Sequence, residues 1–90
     1  MLKVEFDEYV SGQIALLTKK INDDKHAPGD PNDDVSRGKL LVYEALRKLS
    51  QTEKLSNQEL GVIGAVNDTL QKLTIIDGKT TLTVLIKNLG

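Results

Sequence analysis

The sequence predicts an all-α chain, a single small antiparallel bundle of three to four helices over residues 1–90. Three observations carry this. Apolar residues recur at spacings of three and four in three long segments. A serine-to-glutamate capping box, Ser56 and Glu59, marks one helix start without ambiguity. The connection at residues 51–54 is short and polar, as between antiparallel neighbours.

The first helix is expected over residues 2–21. Phe6, Val10, Ile14 (or Gln13), Leu17 and Ile21 form its apolar stripe. Asp7 and Glu8 near its start and Lys19 and Lys20 at its end suit the helix dipole. Residues 2–6 also alternate, which leaves a short strand as the other reading. Residues 22–34 then read as a loop. Pro28, Gly29 and Pro31 interrupt a helix, and the Asn and Asp content favours turns.

The second helix is expected to be capped by Asp33, Asp34 or Ser36 and to end near Leu49 or Ser50. Val35, Val42, Ala45 and Leu49 form its seam, with Leu41 and Leu46 beside it. Arg37, Lys39, Arg47 and Lys48 decorate the other faces. The third helix starts at Asn57, with Leu55 and Leu60 at hydrophobic-staple spacing. Leu60, Ile63, Asn67 and Leu70 are placed on its inward face, flanked by Val62, Val66 and Leu73. Gly61 and Gly64 are costly in a helix interior. Either they form a close-packing notch in one continuous helix, or Gly64 ends a short helix before a second begins. The notch is the reading adopted.

Residues 74–90 carry two signals. Asp77-Gly78 between Thr, Ile and Val suggests a hairpin. Leu82, Leu85, Ile86 and Leu89 behind Thr80 or Thr81 suggest a capped fourth helix. The periodicity favours the helix.

Composition excludes several chemistries. There is no cysteine, so no disulfide, zinc-thiolate cluster or thiol nucleophile. The net charge of −1 lacks the basic excess of a nucleic-acid binder. Phe6, Tyr9 and Tyr43 are the only aromatics, too few for a base-stacking platform. No phosphate loop, dinucleotide fingerprint, zincin motif or nucleophile elbow occurs. Asp30, Asn32 and Asp34 alternate as in a calcium loop, but Val35 and Leu41 stand where glycine and glutamate are required. No apolar run spans a membrane and the first residues do not read as a signal peptide. The expectation is a cytoplasmic protein without enzymatic activity, cofactor or metal, with another protein as partner and a homodimer as one possibility. Asp23, Asp24, His26, Asp30, Asp33 and Asp34 are the candidate partner-binding residues, concentrated in one acidic stretch.

Size, the succession of helices and the Leu55-Ser56-Asn57-Gln58-Glu59-Leu60 helix start give a resemblance to a known family, over about half the chain. The chain resembles the small cytosolic immunity proteins that guard lactic-acid bacteria against pediocin-like bacteriocins. The resemblance implies a non-catalytic inhibitor or immunity-type protein that docks onto a protein partner. Members of that family carry more aromatics and a more basic balance than this sequence.

The same stretch also looks like the opening of a helix-turn-helix. Gly61 takes the small-residue position, Ala65 the turn, and residues 66–69 the start of a recognition helix. With the Asp77-Gly78 hairpin as a wing, this gives the alternative, an α+β winged-helix DNA-binding regulator. Its contacts would come from Asn67, Asp68, Thr69, Gln71 and Lys72. Asp68 would face a polyanion, and Lys72 is the only base in that helix.

Overall fold

The second helix is the floor on which the others rest. The computed structural model describes residues 2–23 and 31–90 and contains α1 (Leu2–Asn22), α2 (Pro31–Gln51), α3 (Asn57–Lys72) and α4 (Leu82–Lys87). No strand occurs among the described residues. The fold is the expected small all-α bundle, and the winged-helix hairpin is replaced by α4.

α1 lies antiparallel on α2, and α3 and α4 pack on α2 from another side. Val10 and Leu17 of α1 are buried, with Phe6, Ile14 and Ile21 half-buried along the same stripe. The main core joins Ala45 and Leu49 of α2, Ile63 of α3, and Leu82 and Ile86 of α4. Phe6, Leu46, Leu55 and Leu70 close around it.

α2 begins at Pro31, earlier than the acidic residues expected to cap it. Proline at the first helical position has its φ preset and needs no amide partner. Asp33 and Asp34 therefore sit in the first turn, where their charge meets the helix dipole. Ser36 is buried in the α2 interior and is no cap. Val35, expected in the seam, is exposed, because Ser36 takes the inward position beside it. The calcium-loop spacing fails for the same reason: Asn32 and Asp34 are helical. Among the described residues no acidic or histidine cluster fit for a metal exists.

The α3 start is as expected. Ser56 Oγ accepts from the Glu59 amide at 3.2 Å, and Glu59 accepts from the Ser56 amide at 2.8 Å. The face is rotated from the expectation, however. Glu59 is 4% exposed and Leu60 is 55% exposed, so Leu60 forms no part of the core. Leu73 is exposed too. α3 runs unbroken through Gly61 and Gly64. The notch explanation is overturned: a Cβ built on either glycine meets nothing within 4 Å.

α2 and α3 end in the same way. Glu53 N–H donates to Lys48 O at 2.8 Å, and Ile75 N–H donates to Leu70 O at 3.0 Å. Each bond closes over a residue in the left-handed region, Thr52 at φ 59° and Thr74 at φ 56°. This is the Schellman closure, normally built on glycine. A β-branched side chain there is strained. In the following loop, Asp77 turns the chain: its Oδ1 accepts from the Lys79 amide and its carbonyl from the Thr80 amide. Thr81 then caps α4, accepting from the Val84 amide at 3.2 Å.

Three stability changes follow. Gly61→Ala should raise stability by about 1 kcal/mol, from helix propensity with no steric opposition. Thr52→Gly should relieve left-handed strain by about 1 kcal/mol. Ser56→Ala should cost about 1 kcal/mol by removing the α3 cap. Urea denaturation of the three variants checks the signs.

Candidate functional site

The two flanks of α2 are covered by α1 and by α3 with α4, and the space between those covers is open. It forms a groove of about 590 Å³. Leu2, Phe6 and Tyr9 of α1 make one wall. Val66 of α3 and Leu82, Leu85 and Leu89 near α4 make the other. Val42, Leu46 and Ile63 line it between them. Glu5 is the one charged lining residue. The volume falls in the range of ordinary binding sites, roughly 300–1,000 Å³. The walls remain accessible: Leu2 is 55% exposed, Tyr9 54% and Leu85 40%.

Local sequence explains the opening. On α1, Leu2 and Tyr9 form a second apolar stripe beside the Phe6–Ile21 stripe that faces α2, and Phe6 borders both. α4 is six residues long, and its helical spacing shows Leu82 and Ile86 to the core while Leu85 turns outward. Its start is anchored by α3: Asn67 Oδ1 accepts from the Leu82 amide at 2.7 Å. Gln71 Nε2 donates to Thr80 O at 2.9 Å and to Gly78 O at 3.4 Å. The groove's far wall is thus fixed by two polar side chains of α3.

Tyr9 stands at the lip. Its ring meets Tyr43 edge-on, with centroids 5.8 Å apart and planes at 74°, and the hydroxyls share a 2.8 Å hydrogen bond. That bond to Tyr9 pushes the Tyr43 phenol up from its ordinary value. Near the same end, Lys3 donates to Asp7 at 2.7 Å and to Ser50 Oγ, and Ser50 Oγ donates to Asp7. The bond from Lys3, then that from Ser50, lowers the Asp7 carboxyl. A serine beside a lysine is the pairing of some hydrolases. Here both donors are committed to Asp7, and the cluster ties the start of α1 to the end of α2.

A second cavity, of about 450 Å³, lies between α1 and α2 at the other end of the bundle. Arg37, Glu44, Lys48 and Glu59 line it with Leu40, Leu41 and the end of α1. Lys48 Nζ donates to Glu59 Oε1 at 2.7 Å, and the same oxygen accepts the Ser56 amide. Burial of a carboxylate is tolerated because both bonds favour its charged form. Lys48, then the Ser56 amide, holds the Glu59 carboxyl at about 2, below its ordinary 4.5.

Asp24, His26 and Asp30 lie outside the described residues. Asp23 is exposed just beyond α1, and Asp33 and Asp34 serve the first turn of α2. The structure does not bring these three into the groove. Of the DNA-contact candidates, Asn67 and Gln71 are engaged in holding the loop before α4. Thr69 donates to the Ala65 carbonyl at 2.8 Å, while Asp68 and Lys72 are exposed. The groove residues were missed as a site because each reads singly as core or surface. The signal available was the pair of adjacent stripes on α1. Comparison with protein-family models, curated proteins and solved structures gave no match.

The Glu59 ion pair carries a pH signature. A carboxyl depressed in the folded state adds stability that is complete above its unfolded value near 4.5 and is lost as pH falls towards about 2. The depressed Asp7 acts in the same direction. Glu59→Gln should therefore lower stability at neutral pH and flatten the loss between pH 4.5 and 2. Urea midpoints of both proteins across that window test this; parallel curves would refute the assignment.

Proposed function

We propose that this chain is a non-catalytic, cytosolic protein-binding module that takes an apolar helical surface of a protein partner into the groove bounded by α1, α3 and α4. One observation supports the reading above the others. The groove is apolar along both walls, open, and held by polar side chains of α3 rather than by collapse of its own walls. Helix-in-groove recognition uses such surfaces, with affinity from a few buried anchors. No helix among the described residues is long and apolar enough to cross a membrane, so a lipid-spanning role for these walls lacks support.

Within this class we favour an inhibitor or immunity-type protein. The succession of helices and the capped start of α3 support it. The DNA-binding alternative has no such support: α3 continues where the turn was required, and two of its five contact residues are engaged elsewhere.

A photo-cross-linking residue at Leu85 tests the groove in source cells. It should give discrete protein adducts that the same probe at Leu60, exposed on another face of α3, does not. Identical adduct patterns at both positions would remove the groove from the proposal. For the immunity assignment, expression in a strain sensitive to a pediocin-like bacteriocin should confer survival. Unchanged killing would retire that assignment and leave the docking role standing.

A further inference from the structure

We propose that Tyr9 and Tyr43 form an oxidative cross-linking site, at which one-electron oxidation joins their rings into a dityrosine bridge between α1 and α2.

Composition and fold together single out this pair. Cysteine and methionine are the side chains that ordinarily take up oxidants. The chain has no cysteine, no tryptophan and a single methionine, Met1, but it has two tyrosines. Its phenols are therefore the main electron donors that it offers. They stand 34 residues apart in the sequence, and the fold brings them into contact. Val10 is buried where α1 meets α2, which sets its neighbour Tyr9 at the margin of that contact. Tyr9 is exposed and Tyr43 half-buried, so an oxidant in solution reaches the pair.

The contact is of the kind that the coupled product keeps. The two hydroxyls lie 2.8 Å apart, an ordinary O–H···O length. Each hydroxyl is carried by Cζ, with the two Cε carbons ortho to it. A dityrosine is joined Cε to Cε, and its hydroxyls lie side by side across the new bond. The hydrogen bond between Tyr9 and Tyr43 thus already holds together the groups that flank that bond. The rings stand edge-on, at 5.8 Å and 74°, so coupling requires one ring to turn towards the other. Tyr9, with more than half of its surface open, has the space to turn.

The reagent is a one-electron oxidant, a class that includes the oxidised haem of a peroxidase. Each phenol gives up one electron to the oxidant and its hydroxyl proton to water. The resulting phenoxyl radical shares its unpaired spin between the oxygen and the two Cε carbons. Two such radicals pair to form the Cε–Cε bond. The hydrogens on the joined carbons then move to the oxygens and restore both aromatic rings. In all, the chain loses two electrons and two protons, and two equivalents of oxidant are reduced. The bridge restricts the unfolded chain as a disulfide does. It also ties Tyr9, a wall residue of the groove, covalently to α2.

Photo-oxidation by a ruthenium(II) complex with persulfate tests the proposal, because this small-molecule oxidant acts in buffer and in urea alike. The product is read by the blue fluorescence of dityrosine, by mass and by denaturing electrophoresis. The expected product is a single chain lighter by two hydrogens, in a yield independent of protein concentration. Proteolysis should release Tyr9 and Tyr43 in one linked peptide pair. The folded protein should form it about tenfold or more faster than protein held in urea, since a standing contact replaces chance closure of a flexible loop. Tyr9→Phe and Tyr43→Phe keep the rings and remove one phenol each, and either should abolish the lighter single chain. Dityrosine confined to covalent dimers, equal rates with and without urea, or a lighter single chain from either Phe variant overturns the proposal.

Discussion

The two-sided use of α2 governs this molecule. α1 and α3 each bury their stripes on it, and they meet through it more than through each other. The polar ties repeat the pattern. Lys3 and Asp7 bond Ser50, Tyr9 bonds Tyr43, and Glu59 bonds Lys48, so each of these ties has one end on α2. A helix that serves two neighbours on different flanks holds them apart at its own width. The wedge of space that remains between α1 and α3 is only partly filled by α4, which is one and a half turns long. The groove is thus a geometric result of the packing scheme, present without any residue dedicated to forming it.

Polar groups set details that apolar packing leaves open. Glu59 faces inward because its carboxylate is bound by both the cap and Lys48, and this rotation turns Leu60 to solvent. Asn67 and Gln71 hold the chain before α4 through backbone groups, which places Leu82 and Ile86 in the core and Leu85 outside it. Among buried side chains of the described residues, no polar atom lacks a partner. The rotation of α3 therefore leaves no buried polar atom unpaired, although an apolar residue next in sequence stands outside.

Helix existence was legible from pattern, and so were the caps that depend on neighbours in sequence, Ser56 and Thr81. The α1 stripe held from Phe6 to Ile21. What failed depended on distant partners. The inward turn of Glu59 requires Lys48, eleven residues away. The role of Asn67 requires the Leu82 amide. The early start of α2 was hidden because Pro31 was read as a breaker when it was the first residue of the helix. Gly61 and Gly64 illustrate a separate limit: a costly residue invites a packing reason, and here the surrounding space offers none. The groove was least legible of all, since spacing tells which residues share a face and not which faces are left uncovered.

The amide of Lys3 donates to the carbonyl of Gly90 at 2.8 Å, so the beginning and the end of the described chain lie side by side. Leu2 and Leu89 both line the groove next to this bond. Any polypeptide joined at either end, whether an affinity tag or a fused domain, emerges at the edge of the groove. Handles are better placed at residues 52–54, between α2 and α3, where the chain is exposed and none of the groove's walls begins.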